Sequence, residues 1–269
     1  MSSFLPEISA SKVASLIGLH AYQPAKECMY DLLCKHAPTK LRIAALEASE
    51  RRIALPKLKA AVLRSPAVRD VVTAGVRACI GRTDITETLE DVESQARLVL
   101  NLRHSELNPE VRELMVAEVR GAVQRQRGTN NEGAILNVYE VENNVKVQDR
   151  NTVTFRKTYR DFKLVGRTDG YVEAHNRIVD SKARTRWWAA VPMYDEIQLR
   201  VYMALSGCVE SELVESFPDG RTRTTKYLND IEKWENIQSA LSDAVKKMND
   251  AIADEEILRD IVFANTVAV

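Results

Sequence analysis

No Cys-x-x-Cys pair occurs in this chain; Cys28, Cys34, Cys79 and Cys208 stand singly. That scatter points to reduced, buried and unreactive thiols in an intracellular protein. The four histidines, His20, His36, His104 and His175, show neither metal-ligand spacing nor a triad-like pairing with Asp or Ser. A phosphate-cradling Gly-x-x-x-x-Gly-Lys loop is missing too, which argues against an intrinsic ATPase or helicase motor. No apolar run approaches the length of a membrane span, and no basic segment followed by an apolar core stands near the N-terminus. Neither membrane insertion nor secretion is therefore expected. Net charge is also lacking, since 38 Lys and Arg balance 38 Asp and Glu. A strongly basic chain would have pointed to nucleic acid; this one must concentrate its basic residues locally if it binds one.

What is present is ordinary for a globular protein. The 269 residues are 45% hydrophobic and 28% charged, enough for a sizeable core as one large domain or one domain with an insertion. From Ser9 to about Asp149 the texture is helical. Ser9 or Ser11 can cap a first helix, and Pro24-Ala-Lys-Glu opens a second. The pattern predicts helices over 41–53, 57–79 and 84–103, and another from Pro109 to Gln126 with Val111, Leu114, Met115 and Val119 as its apolar residues. From Val145 to Ala183 the chain is strand-rich. Pro192 starts a helix to Ser206, residues 209–216 and 221–227 form a hairpin around Pro218-Asp-Gly220, and one amphipathic helix runs from Asp230 to Arg259.

The chemistry concentrates in Val165-Gly-Arg-Thr-Asp-Gly170 and Ile178-Val-Asp-Ser-Lys182. Residues 162–167 and 171–174 are rich in Val, Tyr and Phe, His175-Asn176 supplies a turn, and Arg177 to Lys182 alternates again, so the whole reads as a hairpin. Asp169 and Asp180 then lie side by side on paired strands, and Lys182 shares the face of Asp180. Two carboxylates and an ammonium converging on one point form a site for a divalent metal and a water nucleophile attacking a phosphodiester. An Asp-x-Lys pair alone says little. Asp161-Phe-Lys163 is another, and a solvated surface ion pair accounts for either. Only the second pair follows a Gly-x-x-Asp-Gly segment, has apolar Ile178-Val179 before it, and precedes Gln198-Leu-Arg-Val-Tyr202 on a predicted helix.

Asp169, Asp180-x-Lys182 and Gln198-x-x-x-Tyr202 together resemble the core of the PD-(D/E)XK nucleases, specifically the lambda-exonuclease or YqaJ-like viral recombinase branch. Arg127-Gly-Thr-Asn-Asn-Glu132-Gly-Ala resembles the helix that carries this branch's first acidic ligand. Ile8-Ser-Ala-Ser-Lys12 with Leu16-Ile-Gly-Leu-His-Ala-Tyr22 resembles its opening helix and loop. The resemblance covers residues 1–36 and about 120–230. It implies an α/β fold of the restriction-endonuclease type, a mixed central sheet flanked by helices. The expected organisation is a single domain over 1–269, with 1–38 and 109–269 as the core and 39–108 as a helical insertion. No cysteine cluster follows the core, which separates this chain from the iron–sulfur nucleases of the same superfamily.

The resemblance implies magnesium, with manganese as a substitute, as two ions. Asp169 would bridge them, Asp180 would bind the one on the nucleophile side with the Ser181 carbonyl assisting, and Glu132 would complete the site. Lys182 would orient the attacking water and offset transition-state charge. Gln198 and Tyr202, at i and i+4 on one helix face, would support the site. Arg125, Arg127, Arg184, Arg186 and Trp187 (or Trp188) are candidates for phosphate contacts and base stacking. Ser11 and Lys12, with Ser9, can hold a terminal phosphate at a helix N-terminus. Each has a plainer alternative: Asp169 as a turn residue, Glu132 as an exposed helix glutamate, Tyr202 and one tryptophan as core, and the serines as caps. The activity implied is a DNA exonuclease degrading one strand of duplex ends 5′-to-3′, in viral or phage recombination, repair or replication. A single-strand-annealing protein is the expected partner and a trimeric ring the expected assembly. A structure-specific endonuclease, or a non-catalytic DNA-binding protein retaining the fold, are the alternatives. Intact Asp169, Asp180 and Lys182 weigh against the last.

Overall fold

The computed structural model describes residues 4–36, 38–80, 82 and 84–268. A short strand, β1 (Glu7–Ser9), is followed by helices α1 (Ala10–Leu16), α2 (Ala25–Lys35) and α3 (Thr39–Ser49). Strand β2 (Arg52–Ala54) leads into α4 (Leu55–Arg64), α5 (Pro66–Ala78), α6 (Thr86–Arg103) and α7 (Pro109–Asn143). Then come β3 (Thr154–Thr158), β4 (Lys163–Arg167), β5 (Gly170–Val172), β6 (Arg177–Ala183) and α8 (Met193–Ser206). The hairpin β7 (Glu210–Ser216) and β8 (Thr222–Leu228), helices α9 (Ile231–Ala253) and α10 (Glu255–Ala264), and β9 (Thr266–Ala268) complete the order.

Two helices expected to be continuous are broken, each by a specific group. The 57–79 stretch divides at Pro66, which lacks an N–H and takes the first position of α5. The 230–259 stretch divides at Asp254, whose carboxylate accepts from the N–H groups of Glu256 and Ile257 at 2.8 and 3.4 Å. The opposite correction applies to α7. It was expected to stop at Gln126 but runs 35 residues to Asn143, about 52 Å at 1.5 Å per residue. Gly128 and Gly133 each cost it roughly 1 kcal/mol against alanine, yet both halves are anchored. Met115, Val119 and Val123 lie in a helical core with α5 and α6, while Ile135, Leu136 and Tyr139 pack on strands β5, β6 and β7. Asn108 caps the start by accepting from Val111 N–H at 2.8 Å.

The central sheet is mixed and four-stranded, in the order β5-β6-β7-β8. β6 and β7 are parallel, with α8 as the crossover, and the outer pairs are antiparallel. β4 belongs to a separate sheet, ordered β1-β4-β3. The segment read as one strand of a hairpin therefore serves two sheets, and Thr168-Asp169 is the crossing point. β6 is buried from Ile178 to Ser181: Ile178 joins the core around α8, and Val179 joins the one under α7. Such burial on both faces is what a parallel inner strand requires. Ile43 and Leu46 of α3 and Ala54 of β2 also sit in the core around α8, and β2 pairs with β9. The separately packed helical unit thus begins at α4 rather than at Thr39.

Gly170 marks where the chain is tightest, since a Cβ there would lie 2.2 Å from Val147 Cγ1. Gly170→Ala should lower the unfolding free energy by about 1–3 kcal/mol in urea titration. Gly128→Ala, with nothing within 4 Å of the added carbon, should raise it by up to about 1 kcal/mol. An unchanged urea midpoint for Gly170→Ala would contradict the packing described.

Candidate active site

A cavity of about 1040 Å³ opens between α7, β6 and α8, with the end of β4 and the start of α1 closing its sides. β6 supplies Asp180, only 2% exposed, and two residues later Lys182, whose Nζ lies 2.6 Å from Asp180 Oδ2. The other oxygen, Asp180 Oδ1, is buried and has no hydrogen-bond partner. The pairing of Gly170 with Val179 brings Asp169 alongside. Its Oδ2 accepts from the Ser181 N–H at 2.8 Å and from the Ser181 hydroxyl at 2.9 Å.

These groups disturb one another. Burial, then the neighbouring Asp180 charge, pushes the Asp169 carboxyl up to about 7; Glu132 adds to the rise, while Lys182 and the Ser181 N–H oppose it. For Lys182, burial favours the neutral amine, but Asp180, Asp169 and Asp195 together outweigh it and hold the ammonium charged above its usual range. Burial and the Asp180 charge raise the Tyr202 phenol.

Three further residues reach the cavity. Glu132, from the middle of α7, accepts from Asn151 Nδ2 at 3.0 Å. Gln198 Nε2 donates to the Tyr202 hydroxyl at 2.6 Å across one turn of α8. Tyr202 is both a core residue and part of the cavity lining. Gly166 permits this approach, because a Cβ there would come within 2.9 Å of the Tyr202 ring.

The candidate phosphate-binding residues are less well gathered. Ser11 and Arg125 line the cavity, Arg125 being tied to Glu118 at 2.5 Å. Lys12 turns instead to Asp31, 2.5 Å away. Arg184 is nine-tenths buried, and its guanidinium is held by Glu215 and Asp195, each at 2.7 Å; its donors are directed at protein carboxylates rather than left for a phosphate. Trp187 packs on Phe217 at 4.4 Å with Arg221 over its ring, and Arg186 lies over Trp188; neither Arg186 nor Trp187 lines the cavity. Arg127 faces a different cavity altogether.

Two residues at this site carried no motif. Asp195, 3% exposed, joins Arg184 to the electrostatic surroundings of Lys182. It lies three residues before Gln198 on α8, so helical spacing alone was enough to flag it. Asn151, the partner of Glu132, sits in a loop at φ 55°, where no pattern in the sequence announces it.

The donor set is oxygen-rich, as a hard cation requires. Among the described residues no three His, Cys, Asp or Glu side chains converge as a complete ligand set. Magnesium needs only one or two protein carboxylates and keeps its waters. The unpartnered Asp180 Oδ1 beside Asp169 is a donor of that kind.

No protein-family model matches the sequence, and no curated protein matches it. Structural neighbours of the chain include alkaline and phage-related exonucleases. An alkaline exonuclease (LHK-Exo) from Laribacter hongkongensis is 15% identical with a TM-score of 0.45, over 97% of this chain and 95% of that one. A phage-related exonuclease from Haemophilus somnus 129PT is 14% identical with a TM-score of 0.46, over 93% and 96%. LHK-Exo in complex with dAMP is 17% identical with a TM-score of 0.42, over 59% and 88%. Likenesses at this level leave the functional reading to the chemistry of the site.

The Asp169 shift sets a sign for stability. Its folded value, about 7, lies above the ordinary 3.8, so between those pH values the folded state holds a proton that the unfolded state has released. The associated stability is complete below pH 3.8 and is lost as pH rises through 7. Urea unfolding in EDTA should show this decline, and Asp169→Asn should flatten it. An Asp169→Asn variant with the wild-type pH slope would assign the decline to another group.

Proposed function

We propose that this chain is a divalent-metal-dependent deoxyribonuclease. The observation that carries the reading is Asp180: one carboxylate oxygen is neutralised by Lys182, and the other is buried, unpartnered and beside Asp169. Asp169 and Asp180 would hold magnesium or manganese, with Glu132 able to join from α7. Bound there, the ion would neutralise phosphodiester charge and make water a better nucleophile.

The chain's own residues would do the rest. Lys182 stays charged and carries rotatable N–H donors, suited to orient a water and to offset developing charge on the phosphate. Gln198, fixed by Tyr202, presents an amide to the cavity. Arg125 and Ser11 line it where a strand's phosphates would pass.

The finer reading is an exonuclease acting on duplex DNA ends 5′-to-3′, as a homotrimeric ring, in viral or phage recombination, repair or replication and supplying single strands to an annealing protein. Zero net charge makes loose electrostatic retention on DNA weak, so enclosure would keep the enzyme on its substrate.

The test is an end-labelled linear duplex beside closed circular DNA, each with Mg²⁺ and with EDTA. Linear DNA should be consumed from its 5′ ends only with metal, and circles should survive; light scattering should give a trimer. Asp180→Asn and Asp169→Asn should abolish hydrolysis while folding is kept, and Lys182→Ala should lower kcat by about 10²–10³-fold. Wild-type turnover in Lys182→Ala would remove its assigned role, and cleavage of circles would replace the exonuclease with an endonuclease. Release of label first from 3′ ends by a monomer would overturn polarity and ring together.

A further inference from the structure

Among the residues that sequence motifs placed beside the catalytic cavity but the fold placed elsewhere is Arg127. It is 8% exposed, and its Nε is buried without a hydrogen-bond partner. Among the described residues no carboxylate comes within ion-pair distance of it. A buried, uncompensated guanidinium costs several kcal/mol. Native structures explain such a group by a water or an anion that meets it.

Arg127 lines a second cavity, of about 280 Å³, together with Arg82. Arg82 is exposed, and among the described residues its side chain makes one hydrogen bond, to Thr88, long at 3.4 Å. Arg82 stands between this cavity and a neighbouring one lined by Asp70, Asp91 and Thr88; among the described residues neither arginine makes an ion pair with a carboxylate. Asn131 and Thr222 add polar groups, and Ile135 and Val214 make part of the wall apolar. That apolar wall lowers the local dielectric and strengthens any charge-assisted hydrogen bond formed there. One carboxylate, Glu142, also lines the cavity; it is exposed, where water and salt screen it.

We propose that this second cavity, formed by Arg127 and Arg82 on the far face of α7, binds a phosphate-monoester dianion. Paired guanidinium forks match the geometry and the double charge of such a group better than a single carboxylate would. At about 280 Å³ the cavity is at the small end of the range for organic ligands, so free phosphate or the phosphate end of one nucleotide fits its scale. The position has a consequence. Arg127 and Asn131 occupy one face of α7, Gly128 and Glu132 the adjacent face, and Ala183 of β6 borders both cavities. An anion drawn to Arg127 would therefore press on the same helix that carries Glu132. The inference stands apart from the nuclease reading, because it rests on an unpaired cation and needs no catalysis.

The experiment is calorimetric titration in EDTA, so that no hydrolysis or metal contributes. Inorganic phosphate, dAMP and deoxyadenosine are the three probes. Phosphate and dAMP should bind, and deoxyadenosine should not. Tighter binding of dAMP identifies a nucleotide as the source, and equal binding identifies free phosphate. Arg127→Met should weaken binding at least tenfold, whereas Asp180→Asn should leave it unchanged. Arg82→Met, at an exposed position, should weaken it severalfold and serves if Arg127→Met does not fold. In thermal unfolding, phosphate and dAMP should raise the Tm of the wild type but not of the Arg127 or Arg82 variants. Absence of binding, or binding kept in both Arg variants, would overturn the proposal.

Discussion

The cost of burying Asp169 and Asp180 beside each other is the constraint on which the centre of this molecule depends. Each carboxylate loses hydration worth several kcal/mol, and their like charges add to the penalty. The fold answers in part: Lys182 meets one oxygen of Asp180, and Ser181 gives two hydrogen bonds to one oxygen of Asp169. Compensation stops there, with Asp180 Oδ1 unpartnered and Asp169 shifted toward neutrality. Glu215, on the neighbouring strand, shows what a finished structural carboxylate looks like. It is fully buried, and its two oxygens are taken by Arg184 at 2.7 Å and Arg223 at 2.6 Å. The difference between the two arrangements separates a carboxylate that holds the fold from a carboxylate left available to chemistry.

The same contrast runs along the sheet. β7 carries Glu210, Glu212 and Glu215 on a strand with hardly any exposed surface. Arg177 reaches Glu210 at 2.5 Å and Glu212 at 2.9 Å, and the Tyr139 hydroxyl donates to Glu212 at 2.6 Å. Arginine's planar fork, fixed and always charged, suits these permanent pairs. At Asp180 the partner is instead a lysine, with a compact charge on a flexible stem. Lys182 meets one oxygen of Asp180 and leaves the other without a partner, whereas Glu210 has one oxygen taken by Arg177 and the other by Lys226.

How far this could be read beforehand follows from the range of the forces involved. Asp180 and Lys182 were legible because strand alternation is local and Ile178-Val179 announced a buried strand. Placing Asp169 near Asp180 was also legible, since Gly170 and the turn at Asn176, which adopts φ 46°, set the register within ten residues. The split of the 57–79 helix was written in Pro66 and simply outvoted by periodicity. Two things were beyond local reading. The strand-rich stretches read at 162–167 and 171–174 divide between two sheets because β1, more than 150 residues earlier, pairs with β4. Arg184 and Arg127 look alike in sequence as basic residues near a site, yet one is clasped by Glu215 and Asp195 and the other faces away. Only tertiary partners, distant in sequence, decide that.

Glu132 differs from the other acidic residues in how it is held, and the reason lies in α7 as a whole. The first half of the helix is fixed by the core it shares with α5 and α6, and the second half by the sheet. Between these anchors no residue from Gly128 to Ala134 is buried, and the two glycines in that stretch meet nothing within 4 Å where a Cβ would be. Asp169 and Asp180 are positioned by strand register and packing on every side; Glu132 is positioned by the helix axis and a single hydrogen bond to Asn151. One carboxylate is therefore built into the inner strand and another into the crossing beside it, while the third rides on a helix span whose side chains are not buried. That difference accounts for a site in which Asp169 and Asp180 meet while, among the described residues, three acidic groups do not converge.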